Sequence, residues 1–121
     1  MAVVNYALSE SLIPKQWGNN VAVYTWAGLA SGDTGQPLRG PGFTDASYQI
    51  GGTFNGQTVV IEGSNDGVTY FTLVDPFNVA LSFTAAAIAQ VLPICLWIRP
   101  RIIGGTGSTN ITAMHCNHMN N

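Results

Sequence analysis

The chain alternates apolar and polar residues at a spacing of two across most of its length. The clearest case is residues 58–74, TVVIEGSNDGVTYFTLV. In its first run Val59 and Ile61 point one way, Val60 and Glu62 the other. In its second run Phe71 and Leu73 oppose Tyr70 and Thr72. A period of two is the signature of a strand that gives one face to a core. Ser64, Asn65, Asp66 and Gly67 between the runs suit a tight reversal, so a central hairpin is expected here. One hairpin is marginal in water and needs further sheet.

The rest of the chain supplies it. NNVAVYTWAGL (19–29) alternates Val21, Val23 and Thr25 with Ala22, Tyr24 and Trp26. Residues 45–54 form a second strand with Tyr48 and Ile50 on one face. Gly51-Gly52 marks a bulge or a close backbone crossing. VALSF (79–83) alternates again. In 94–103, Leu96, Ile98 and Ile102 face one way and Trp97, Arg99 and Arg101 the other. Pro100 donates no backbone hydrogen bond, which implies an edge or a bulge there. In 110–116, Ile111, Ala113 and His115 oppose Thr112, Met114 and Cys116. TAAAIAQ (84–90) reads as a short Thr84-capped helix or as a single turn. ASGDTGQPLRGPGFT (30–44), with four glycines and two prolines, reads as a long ordered loop.

Seven or eight short strands without sustained crossover helices predict an all-β fold, an antiparallel β-sandwich of jelly-roll type. The expected layout is an N-terminal arm at 1–18, a sandwich at 19–116 and a polar tail at 117–121. The arm, interrupted by Pro14, carries Ile13 and Trp17. These either dock on a neighbour or cover an open end of the protein's own sandwich.

Composition changes the picture in one respect. Only 8% of the 121 residues are charged, against about a quarter in a typical soluble domain. A surface of Asn, Thr, Ser, Gln, Gly and apolar groups has little repulsion to keep copies apart, which favours a permanent neighbour. Four basic residues and a net charge of −2 argue against direct nucleic-acid binding. The longest apolar region, 79–98, is broken by Ser82, Thr84, Gln90 and Pro93. No membrane span or membrane-surface segment is expected. MAVVNYALSE lacks a basic segment followed by an apolar one, so no signal peptide is expected. Cys95 and Cys116 are expected as thiols in a cytosol-made protein.

Candidate chemistry is sparse. HCNH (115–118) is metal-like, but on a strand His115 and Cys116 point to opposite faces, and structural zinc wants four ligands. Glu62, Asp66 and Asp75 form a carboxylate set only if folding gathers them, and two of them sit in turns. No nucleophile elbow, Walker loop or dinucleotide motif occurs. No catalytic residue, metal or cofactor is therefore expected. Trp17, Trp26, Trp97, Tyr24, Tyr48 and Tyr70 divide among core, interface and ligand platform. Arg99 and Arg101 project together beside Trp97, placed to pair with acidic groups of a partner. Arg39 is the loop's charged contact candidate. The interface set is Ile13, Trp17, Arg39, Trp97, Arg99 and Arg101.

Three stretches, GGTFNGQTVVIEGSNDG, TYFTLVDPFNVALSFTAAAIAQV and WIRPRIIGGTGSTNITA, resemble the head decoration, or cement, proteins of tailed bacteriophages. The resemblance covers about half the chain. It implies a short β-rich virion protein, a dimer or trimer on the capsid exterior that bridges major capsid protein subunits after synthesis in the host cytoplasm. GSNDGVTYFTL (63–73) is also similar to the hairpin of discoidin-type carbohydrate-binding modules, and WIRPRI (97–102) to their arginine-bearing strand. That resemblance implies the alternative, a carbohydrate- or receptor-binding jelly roll on a phage tail or fibre.

Overall fold

The computed structural model describes residues 2–8 and 21–117. Among the described residues twelve strands follow in order: β1 (Val3–Val4), β2 (Ala7–Leu8), β3 (Val21–Leu29), β4 (Thr34–Gly35), β5 (Leu38–Arg39), β6 (Asp45–Thr53), β7 (Thr58–Ser64), β8 (Phe71–Thr72), β9 (Ser82–Phe83), β10 (Ala87–Gln90), β11 (Trp97–Ile103) and β12 (Ser108–Cys116). They form two sheets packed face to face. One runs β10-β6-β12-β3-β2. The other runs β1-β4-β11-β7-β8, with β5 also on β11 and β9 also on β7.

The topology is that of a jelly roll. β4 with β5 makes one interrupted strand, and β8 with β9 another. Counting eight strands from β3, one sheet reads 1-8-3-6 and the other 2-7-4-5. That is the order two interleaved Greek keys produce. Consecutive strands mostly alternate between sheets; β7 and β8 are the exception, the antiparallel hairpin expected across 58–74, but it is not the element the sheet is built on. β7 pairs with β8 at only two positions, whereas it pairs with β11 along seven.

The inner faces follow the period-two pattern. β6 sends in Ala46, Tyr48 and Ile50, β12 sends in Ile111, Ala113 and His115, β7 sends in Val59 and Ile61, and β11 sends in Ile98 and Ile102. β3 breaks the pattern. Trp26 and Leu29 are three apart, yet both are fully buried. Between them the ladder shifts: Ile111 pairs with Trp26 and Thr109 with Leu29, so two β3 residues oppose the single Asn110. The bulge is held by Asn110 Oδ1, which accepts from Gly28 N at 2.8 Å. Gly28 takes φ +68°, a conformation costly for other residues.

Several expectations are corrected. The alanine run at 84–90 forms no helix; its second half is the strand β10, registered on β6 from Ala87↔Ile50 to Gln90↔Ser47. Cross-strand pairing outweighs alanine's local preference. The segment 30–44 contains β4 and β5 rather than only loop. Pro100 lies within a central strand, not at an edge. Ile102 N donates toward Asp33 O, so the N–H that Pro100 lacks would point the same way. There the neighbouring strand is interrupted at Gln36-Pro37. Gly35 fits the gap: a Cβ on it would stand 2.6 Å from Pro100 Cδ. Phe71, expected to share a face with the buried Leu73, is 68% exposed.

Residues 2–8 lie across one side of the protein's own sandwich. β1 runs parallel to β4 on one sheet and β2 antiparallel to β3 on the other. Tyr6 between them meets Tyr24 and Trp26 edge-on, with centroids at 5.1 and 6.1 Å. Ile13 and Trp17 lie outside the described residues.

Candidate binding face

The outer face of the β7–β11 sheet gathers the chain's arginines. On β11 the alternation that buries Ile98 and Ile102 turns Trp97, Arg99 and Arg101 outward. β7 turns Val60, Glu62 and Ser64 the same way. In the antiparallel register Arg99 stands opposite Glu62, and on the other flank Trp97 stands opposite Arg39. Directly opposed residues share a face. Arg39, Trp97, Arg99 and Arg101 therefore come together, and Arg39, Arg99 and Arg101 are the only arginines in the sequence.

Glu62 is the pivot. It is 3% exposed although it belongs to an outer face. Arg99 Nε donates to Oε1 at 2.8 Å and Arg101 Nε to Oε2 at 3.0 Å. The guanidinium of Arg99 lies over the Tyr70 ring, 3.7 Å from its centroid, where a cation meets the negative face of the π-system. Burial raises the Tyr70 phenol above its ordinary pKa. Arg39 is exposed and makes no ion pair with any described residue.

The loop after β7 builds the rim. Ser64 Oγ accepts from Asp66 N at 3.2 Å and from Gly67 N at 2.9 Å, and donates to Asp66 Oδ1 at 2.8 Å. Asp66 Oδ1 in turn accepts from Val68 N and Thr69 N, each at 2.8 Å. These amide and hydroxyl bonds hold the Asp66 carboxyl below its ordinary pKa. Asn65 Oδ1 accepts from Leu96 N at 2.9 Å and ties the loop to the start of β11. SNDG thus opens a wide, self-bonded loop and not a tight reversal. It places Gly67 beside the Trp97 indole and Tyr70 over Arg99. Gly67, Tyr70 and Trp97, with Gln36 and Pro37 from the break between β4 and β5, line an open pocket of about 400 Å³.

The other sequence candidates disperse. Trp26 and Tyr48 are core residues. Asp75 Oδ1 accepts from Phe77 N and Val79 N at 2.9 Å, closing a turn. Glu62 is held by its two arginines. His115 points inward and shares a 3.0 Å hydrogen bond with Tyr48 Oη. Cys116 lies on the opposite face of β12, and His118 is outside the described residues. Among the described residues no three His, Cys, Asp or Glu side chains gather as metal ligands. Cys95 and Cys116 are free thiols.

Sequence reasoning placed Trp97, Arg99 and Arg101 on one face but missed four contributors. The sequence groups Glu62 with the carboxylates, and only the register of β7 on β11 sets it against the arginines. Gln36, Pro37 and Gly67 carry no local signal, because the chain path alone brings their loops beside Trp97.

No protein-family model matches this sequence, and no curated protein sequence matches it. Solved structures do share its fold. The SPBc2 prophage-derived protein YomS superposes with a TM-score of 0.63 at 10% identity, over 78% of this chain and 93% of that one. Peruvianin-I, a cysteine peptidase from Thevetia peruviana latex, gives 0.53 at 13% identity; the match takes in 94% of this chain but only 61% of that one. At these identities the likeness is one of fold: an all-β jelly-roll sandwich, shared with a protein of prophage origin.

Proposed function

We propose that this chain is a structural virion protein of a bacteriophage. It decorates the capsid exterior, bridges major capsid protein subunits and catalyses nothing. The observation that carries the proposal is the shared outer face of Arg39, Trp97, Arg99 and Arg101, on a chain otherwise so poor in charge. A partly exposed tryptophan among arginines has the composition of an interface centre. The jelly-roll fold held in common with a prophage-derived protein supports a phage setting. In this role each copy, as a homodimer or homotrimer made in the host cytoplasm, adds a modest contact, and shell symmetry multiplies it.

The test is sedimentation of purified chain with isolated capsids. Stoichiometric, saturable co-sedimentation that delays heat-induced rupture of the shells is the expected outcome. Failure to co-sediment at any ratio removes the decoration role. A second function, glycan binding, is favoured by one observation, the aromatic and amide lining of the Trp97 pocket. Competition by oligosaccharides for attachment to host cells distinguishes it.

A further inference from the structure

We infer that the partner of this face is an acidic peptide segment, with carboxylates seated on Arg39 and on the Arg99–Arg101 pair and an apolar side chain against Trp97 and Tyr70. The inference rests on the decoration proposal for where the partner resides, not for its chemistry.

Charge is the first argument. Among the described residues three guanidiniums share the face with one carboxylate, an excess of two positive charges, while the whole chain stands at −2. Asp66, at the rim, already takes two amides and a hydroxyl on Oδ1. Two guanidiniums bring about ten N–H donors, and one carboxylate offers about four acceptor positions. Glu62 therefore leaves donors of Arg99 and Arg101 unmatched, and Arg39 has no acidic partner among the described residues.

Rigidity is the second. Glu62 holds both Nε groups, and the Tyr70 ring backs the Arg99 guanidinium. An arginine already held in place loses less side-chain freedom when a carboxylate docks. Glu62 thus acts as an orienting group for its two arginines. Shape is the third. The pocket of about 400 Å³ opens beside these donors and has Trp97, Tyr70 and Pro37 in its walls. It accepts one apolar side chain between flanking acidic residues. A nucleic-acid backbone would demand a longer basic track than three arginines supply.

The experiment uses the full chain and a short synthetic peptide with Asp and Glu on both sides of a single Leu. Its control replaces every Asp by Asn and every Glu by Gln. Binding is read from the Trp97 indole signal, identified by its loss in Trp97→Phe. The acidic peptide is expected to bind at least about tenfold more tightly than the control. The difference should shrink as salt is raised. Arg39→Gln, at an exposed position, should weaken binding about fivefold without moving the urea midpoint. Equal affinity for the two peptides, no binding of either, or an unchanged Arg39→Gln variant overturns the inference. So does an oligosaccharide that perturbs Trp97 when the acidic peptide does not. Capsid sedimentation keeps the two proposals apart. If wild type and Arg39→Gln decorate capsids equally, the acidic partner is wrong and decoration stands. If the acidic peptide binds and capsids do not, decoration is wrong and the acidic ligand stands.

Discussion

The Tyr48 hydroxyl and the His115 ring meet at 3.0 Å inside the sandwich, on adjacent strands of the β3-containing sheet. Both side chains are fully buried. Tyr24 and Phe43 flank the imidazole edge-on, at 5.9 and 5.8 Å. Burial among these rings penalises the imidazolium and lowers the His115 pKa from 6.5 to about 4. Burial also raises the Tyr48 phenol far above its ordinary range, so it stays neutral.

The consequence is an acid-labile core. As pH falls below 6.5 the unfolded chain takes up a proton at this position and the folded chain does not. Stability is therefore full above pH 6.5, declines below it, and stops declining near pH 4. The total loss is about 3 kcal/mol. Asp66, whose carboxyl is lowered from 3.8, loses its contribution at still lower pH, so the two windows separate. Urea midpoints measured at steps from above 6.5 down to about 4 should trace this slope. A flat profile, or an equal slope in His115→Gln, contradicts it.

The Glu62 cluster makes a second, asymmetric prediction. Glu62 is buried to 4% of its side-chain area, whereas Arg99 and Arg101 keep 24% and 42% exposed. Glu62→Gln leaves two guanidiniums facing a neutral amide and should cost about 2 kcal/mol. Arg101→Gln removes the more exposed partner while Arg99 still serves Glu62, and should cost less than about 1 kcal/mol. Denaturant unfolding of the two variants checks the order. Equal losses would mean that Glu62 is no pivot.

Adjacent glycines on β6 should behave oppositely. A Cβ on Gly51 would meet nothing within 4 Å, whereas one on Gly52 would lie 2.6 Å from Ser108 O, at φ +99°. Gly51→Ala should be neutral or stabilise by up to about 1 kcal/mol, through the unfolded chain. Gly52→Ala must displace backbone of β12 and adopt a strained φ, and should cost at least about 2 kcal/mol. Thermal unfolding of both variants is the check, and similar melting temperatures for the two refute it.

This pair also marks where sequence reasoning stops. The double glycine announces a bulge or a crossing, but only the approach of β12 tells which residue is the crossing. The period-two signal of β7, β11 and β12 is legible because those strands are long and one-sided. It fails at Trp26 and Leu29, where a bulge reverses the face within three residues. It fails at 84–90, where alanine's helical preference is local and the pairing with β6 is not. Half of the candidate site was legible for the same reason: Trp97, Arg99 and Arg101 share a strand. Arg39 joins them only through cross-strand register, from a segment whose prolines and glycines mask two strands.

Ser64 tests whether the loop that shapes the pocket is set by one hydroxyl. Its Oγ is the shared partner of two amides and of the Asp66 carboxylate, in a residue only 3% exposed. Ser64→Ala deletes all three bonds and leaves the strand intact, because its backbone stays paired with Trp97. The expected loss is about 1 kcal/mol, since the freed amides lie near solvent. The larger effect should fall on the rim. Without its anchor the loop no longer holds Gly67 against Trp97, and the Asp66 and Gly67 amides should exchange hydrogen faster than those of β7 and β11. Binding at the Trp97 pocket should weaken alongside. Unchanged exchange at Asp66 and Gly67 would show that the Asn65–Leu96 tie holds the loop by itself.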